Sequence, residues 1–264
     1  MLAGLFPGRV DLGIGRGSGT EDEARPALRR EEADDAAVYQ RQIEELTGFL
    51  RGGAFPSGHR FDRVRLPQAE ALPSLYVLGA STSTAELAGS LGSSLAFAHY
   101  QSPKLTPSVI AAYHRVFDVA RHGRAPYVIA SVKVVGRDTD AEALAAAVST
   151  TLLRLRKTAV NVAGLTIDDA VLLDPAITDV ERQLVDRQLA LGDVVVGGPQ
   201  TLRTRLSELA HRLKVDEIMI VPTEYAGEGR METLRAVAAA DLRGAAVGAE
   251  PMEDAVLTSR NFAP

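Results

Sequence analysis

Hydrophobic positions along this chain switch repeatedly between two periods. From Arg9 to Gly15 they alternate, with Val10, Leu12 and Ile14 on one side and Asp11 on the other, which predicts a strand. The apolar run Leu75 to Leu78 ends in Gly79-Ala80 and predicts a strand over 75–79. Ser94 to Tyr100 predicts a third, the β-branched run from Tyr127 to Val135 a fourth, and Glu217 to Val221 a fifth. Between these runs the spacing is helical. Thr106 to Phe117 puts Val109, Ile110, Tyr113 and Phe117 on one face, and Asp140 to Arg156 and Asp179 to Leu191 are also helical. After the turn Gly197-Gly198-Pro199 a helix carries Leu202, Leu206, Leu209 and Leu213 inward. Val194 to Val196 reads as its lead-in, and a last helix is expected over about Gly229 to Leu242. Strands separated by amphipathic helices, with buried β-branched runs, predict an α/β fold on a parallel sheet.

The first third is less regular. Met1 to Phe6 reads as the last turn of a helix. Asp34 or Asp35 starts another, with Ile43, Leu46 and Leu50 at helical spacing and Gly52-Gly53 at its end. Ala54 to Pro73 reads as a long loop, a lid or a surface decoration.

The stretch from Leu72 to Tyr100 concentrates the candidate chemistry. A strand runs into the hydroxyl cluster Ser81-Thr82-Ser83-Thr84, and Ser83 with Glu86 has the spacing of a capping box opening a helix. Helix N-terminal N–H groups and hydroxyls make a seat for a phosphate, although the same hydroxyls serve simply as caps. His99 stands where the next strand delivers side chains, able to move a proton or to be a bonded histidine at the rim of the core. Gly13, Gly15, Gly17 and Gly19 do not fit the G-x-G-x-x-G dinucleotide spacing, but they mark a strand end where backbone turns or approaches a ligand. Arg16 lies in that end, as a solvated arginine or as a forked donor to phosphate.

Composition narrows the classes. The 264 residues are 46% hydrophobic with net charge −5, and no basic block points to nucleic acid or an anionic membrane. There is no cysteine, hence no disulfide or thiolate, and five scattered histidines give no case for a metal. Neither a signal peptide nor a membrane span is visible, so a cytoplasmic location is expected.

The block LFPGRVDLGIGRGSGTED at Leu5 to Asp22, followed by LGASTSTAELAGSLG at Leu78 to Gly92 and the strand SLAFAHY, resembles the luciferase-like flavin-dependent monooxygenases, and the likeness continues through VVVGGPQTLRTRL. The resemblance implies a TIM-barrel (β/α) fold with its site at the strand C-terminal ends. It also implies an enzyme that uses reduced FMN, supplied by a flavin reductase, and O2 to oxygenate a small organic substrate. On this reading Arg16, Ser81 and Thr84 hold the FMN phosphate, the backbone at Ala80 and Ser81 helps, and His99 lies near the ring as a catalytic candidate. A deazaflavin-dependent oxidoreductase, or a non-catalytic flavin-binding partner subunit, are the alternatives on the same fold.

In the family's order, Arg9 to Gly15 corresponds to the fourth barrel strand, so the first three are expected to be absent. The expectation is one partial barrel domain over 1–264 with a helix-plus-loop insertion at about 20–73. Its arc of five strands would leave two edges able to pair with another chain, and a homo-oligomer is expected.

Overall fold

The computed structural model describes residues 2–15, 36–67, 71–163 and 176–242. They divide between two compact units, one of Met1–Lys133 with Ile218–Val221 and the other of Val134–Glu217 with Pro222–Pro264.

The first unit opens with α1 (Leu2–Leu5), β1 (Asp11–Gly15) and α2 (Ala36–Leu50). It continues with β2 (Ser74–Gly79), α3 (Thr82–Ser90), β3 (Ser94–Phe97), α4 (Thr106–Val116) and the short α5 (Val119–His122). β4 (Val128–Gly136) begins in this unit, and β6 (Glu217–Pro222) pairs with it. β1, β2, β3 and β4 are neighbours in that order, and the pairs β1–β2, β2–β3 and β3–β4 are parallel. Such strands are covered on at least one face by helices, and their sequences show it. Val77, Leu95, Phe97, Val128 and Ala130 share the face that is fully buried, packed with Ala85, Ala88, Val109 and Tyr113 of α3 and α4. Burying side chains of this size contributes about 1.5–3 kcal/mol each.

α3 and α4 meet closely because position 89 has no side chain. A Cβ on Gly89 would lie 2.5 Å from Val116 Cγ2 and 2.8 Å from the Tyr113 carbonyl oxygen. Tyr113 then fastens two strand starts, its hydroxyl donating to the Ser93 carbonyl at 3.0 Å and accepting from the Tyr127 N–H at 3.1 Å. The segment after α2 is a small aromatic cluster, in which Phe55 stacks on His59 at 4.9 Å and Phe49 meets Phe55 edge-on. Beneath it Arg60 grips Glu45 through two bonds of 2.9 and 2.6 Å.

The second unit contains the end of β4, α6 (Asp140–Ala163), α7 (Asp179–Ala190), β5 (Val194–Gly197), α8 (Pro199–Leu213) and α9 (Gly227–Ala239). The expectation for Val194–Val196 is corrected here: it forms strand β5, a neighbour of β4. Three consecutive valines prefer extended backbone, and Gly197-Gly198 turns the chain before Pro199 opens α8. Asp140 joins two helix starts, since it begins α6 while its carboxylate accepts from the Gly198 N–H at 2.6 Å and the Thr201 hydroxyl at 2.8 Å. The Gly198 N–H first, and the Thr201 hydroxyl next, hold its carboxyl below the usual range.

α7 begins with a full capping box between Thr178 and Glu181. Arg156 of α6 adds a guanidinium bond to Glu181 at 2.7 Å and one to the Ala176 carbonyl at 2.5 Å. Arg156, and then the Thr178 N–H, bring the Glu181 carboxyl down to about 2 from 4.5. A carboxyl lowered on folding contributes its stability in full above its unfolded value and loses it as the pH falls through the folded one. Arg156→Gln should therefore lower the melting temperature by about 2–4 °C at about pH 7. The gap from the wild type should close as the pH drops from 4.5 towards about 2. Melting curves across that range test it, and a gap of constant size would remove the pair from the acid limb.

Candidate functional site

The parallel register of the first unit sets the strand ends side by side. Gly15 pairs with Leu78, Gly79 with Phe97, and Phe97 with Ala130. Ala80 and Ser81 follow directly on one strand end and His99 on the next, and the Ala98 N–H donates to the Gly79 carbonyl at 2.9 Å. Ala80, Ser81, Thr84 and His99 are thus brought to adjacent strand ends. Arg16 lies outside the described residues, and β1 is described as far as Gly15.

The start of α3 differs from the sequence expectation. Its N-cap is Ser81, whose hydroxyl accepts from the Thr84 N–H at 3.3 Å, while Glu86 reaches across to α4 and pairs with Arg115 at 2.6 Å. The Ser83–Glu86 capping box is therefore corrected: the helix begins two residues earlier, and the carboxylate that would have closed the box is taken by a guanidinium from another helix. Ser81 Oγ also lies 3.0 Å from both Ser83 Oγ and Thr84 Oγ1, so three hydroxyls cluster on the first turn. Thr82 and Ser83 are exposed, and Ser81 and Thr84 half-buried.

Gly79 is what lets the turn close. A Cβ there would stand 2.5 Å from Thr84 Cγ2 and 2.8 Å from Thr84 Oγ1, so any side chain at 79 would push Thr84 out of the cluster. A helix N-terminus with this cap, its macrodipole and its hydroxyls favours an anion.

β3 ends at Phe97 rather than at Tyr100. The backbone tightens there, with His99 N–H on the Phe97 carbonyl at 2.9 Å, and rejoins the sheet where the Tyr100 N–H donates to the Ser131 carbonyl at 3.1 Å. His99 is 8% exposed and its Nδ1 lies 2.7 Å from the hydroxyl of Thr106, which is fully buried at the start of α4. Nδ1 is committed to this bond. Thr106 was not visible as a partner in the sequence, where the only sign was a Thr-Pro pair opening a helix. Among the described residues no group of three His, Asp or Glu side chains is placed to hold a metal, and no helix is long and apolar enough to cross a membrane.

The family model for luciferase-like monooxygenases matches residues 1–217. The protein YvbT of Bacillus subtilis (strain 168) is 30% identical over 240 residues, which cover 90% of this chain and 68% of that one. Among solved structures, apo-MsnO8 superposes with a TM-score of 0.71 at 28% identity, over 90% of this chain and 70% of that chain. The FMN-bound oxygenating constituent of 3,6-diketocamphane monooxygenase from Pseudomonas putida shares the fold, with a TM-score of 0.52 at 16% identity over 89% of this chain and 70% of that one.

The His99–Thr106 bond gives a direct test of the site's rigidity. Thr106→Val should destabilise the chain by about 1–3 kcal/mol, because it leaves Nδ1 buried without its partner. Thr106→Ser should restore most of the loss. Urea titrations of the three proteins measure it, and a valine variant as stable as the wild type would show that the hydroxyl contributes nothing.

Proposed function

We propose, because this chain belongs to the luciferase-like monooxygenase family of O2-using oxidoreductases with a TIM-barrel-type (β/α) fold, that it binds FMN and oxygenates a small organic substrate. When bound, the reduced flavin supplies the reaction with O2, and the protein's own residues bind, orient and keep water away. The observation that carries the reading is the start of α3. Ser81, Ser83 and Thr84 gather three hydroxyls on the first turn of a nine-residue helix, closed over Gly79. A phosphate on that turn would take hydrogen bonds from the hydroxyls and from the Ala80 and Ser81 backbone, with the positive end of the helix beneath it. Arg16 is proposed to add a forked charge-assisted contact to the same phosphate.

The register supports a place for the rest of the cofactor. A molecule with its phosphate at the end of β2 has the end of β3 as its neighbour, one strand spacing of about 4.8 Å away. His99 stands there with Nδ1 tied to Thr106, and we assign its imidazole to the neighbourhood of the flavin ring or to a proton taken up or released beside it. FMN is favoured over a deazaflavin because the family is one of monooxygenases. The absorbance spectrum of the cofactor retained on purification separates the two. The reduced flavin is proposed to arrive from a separate reductase.

The test separates capping from anion binding. Ser81→Asp keeps a good N-cap and places a negative charge where the phosphate is proposed to sit. It should leave the melting temperature within about 2 °C of the wild type and weaken FMN binding at least about tenfold by charge repulsion. Arg16→Ala should weaken FMN binding by about 1.5–3 kcal/mol. Fluorescence-quenching titrations with FMN read both, and unchanged affinity in Ser81→Asp would take the phosphate away from α3.

A further inference from the structure

Where β3 and β4 begin, a row of side chains crosses the sheet on the face turned away from α3 and α4. Tyr76 is the register partner of Ser94, and Leu95 is that of Val128, so Tyr127 is level with Ser94. The Leu95 N–H donates to the Tyr127 carbonyl at 3.0 Å, which carries the ladder one residue below β4. Leu95 and Val128 are fully buried on the helix-covered face, and alternation turns Tyr76, Ser94 and Tyr127 to the other. The two rings accordingly meet edge to face, 6.4 Å apart. This is the end of the strands opposite to the turn that carries His99.

Arg124, in the connection between α5 and β4, reaches into this row. Its Nη2 donates to Ser94 Oγ at 2.5 Å. Ser94 is 2% exposed, Arg124 is half-buried, and Arg124 Nε is enclosed without a hydrogen-bond acceptor. Among the described residues Ser94 is the guanidinium's sole hydrogen-bond partner, and no carboxylate pairs with it. A hydroxyl that accepts from a guanidinium keeps its own proton to give. Nε, Nη1 and the Ser94 hydroxyl are therefore donors with no acceptor among them, gathered about a positive charge. Buried donors in folded chains almost always find an acceptor, so this surplus requires one from outside the chain.

From this we infer that Arg124 and Ser94 form a receptor for the carboxylate of a small aromatic acid, with Tyr76 and Tyr127 against its ring. An oxyanion is the group that only accepts, and its charge matches the guanidinium fork. The tyrosine pair favours a carboxylate over inorganic phosphate, because it gives an apolar surface to an organic body that phosphate lacks. The receptor does not draw on the flavin reading. It stands at the strand starts, whereas the hydroxyl cluster of α3 follows a strand end, so the two anion seats are separate. An occupant would link the α5–β4 connection to the first residue of β3.

The test uses benzoate and benzamide, alike in shape and different in charge, titrated calorimetrically against the full chain without FMN, with inorganic phosphate as a third probe. The wild type should bind benzoate at least about tenfold more tightly than benzamide, as one charge-assisted hydrogen bond provides. Arg124→Gln should abolish that preference, and Arg124→Lys, a point charge without the fork, should keep only part of it. Ser94→Ala should weaken benzoate binding at least about threefold. If Arg124→Gln does not fold, the Arg124 Nε–Hε NMR signal, assigned by its loss in Arg124→Lys, is followed in the wild type instead. It should move on addition of benzoate and stay in place on addition of benzamide. Equal binding of benzoate and benzamide, binding of neither, or a signal that ignores benzoate overturns the inference. So does an undiminished preference in Arg124→Gln, which would place the acid elsewhere, and so does phosphate bound more tightly than benzoate.

Discussion

Parallel hydrogen bonding between β1, β2, β3 and β4 fixes the level at which the polypeptide leaves the sheet. Gly79, Phe97 and Ala130 lie in one row, so the turn into α3 and the turn carrying His99 emerge next to each other. A slip of one residue in any of these pairs would exchange the two faces of a strand. Val77 would be moved from the buried side to the one where Leu78 is exposed, and Leu95 and Phe97 would be forced into the places of the smaller Ser94 and Ala96, which are also buried. Apolar burial on one face therefore holds the position of the hydroxyls and the imidazole that stand above the strand ends.

Two small residues translate that sheet into a site. Gly79 allows the Thr84 side chain to fold back over the strand end, and Gly89 allows α3 to lie against α4. α4 in turn supplies Thr106, which sets the orientation of the imidazole on the neighbouring strand end. The hydroxyl cluster and the histidine therefore depend on the same helix pair, although nine residues of helix and a whole strand separate them in the chain.

Much of this was legible in the amino-acid order, because β-branched runs and helical leucine spacing report burial directly. The strands over 75–79 and 127–135, the helix from Thr106 and the inward leucines of α8 all appear where the periodicity puts them. Val194–Val196 was not legible as a strand, since three like residues carry no period. The cap of α3 was misplaced because four consecutive hydroxyl residues offer several starts, and the S-x-x-E spacing matched one whose glutamate was drawn 29 residues away to Arg115. Thr106 drew no notice for a related reason: its significance lies in His99, which faces it, and no local pattern encodes a meeting between separate segments.

The phenol of Tyr113, enclosed between the beginnings of two strands, has a practical corollary for anyone labelling the molecule. Tyrosine-directed nitration or iodination attacks rings that reagents can reach, and Tyr225 offers one at 44% exposure, whereas Tyr113 offers none. The oxygen that ties Ser93 to Tyr127 is shielded from such chemistry for as long as the sheet is intact. Its modification would report that the strands had come apart, making this side chain a built-in chemical reporter of unfolding.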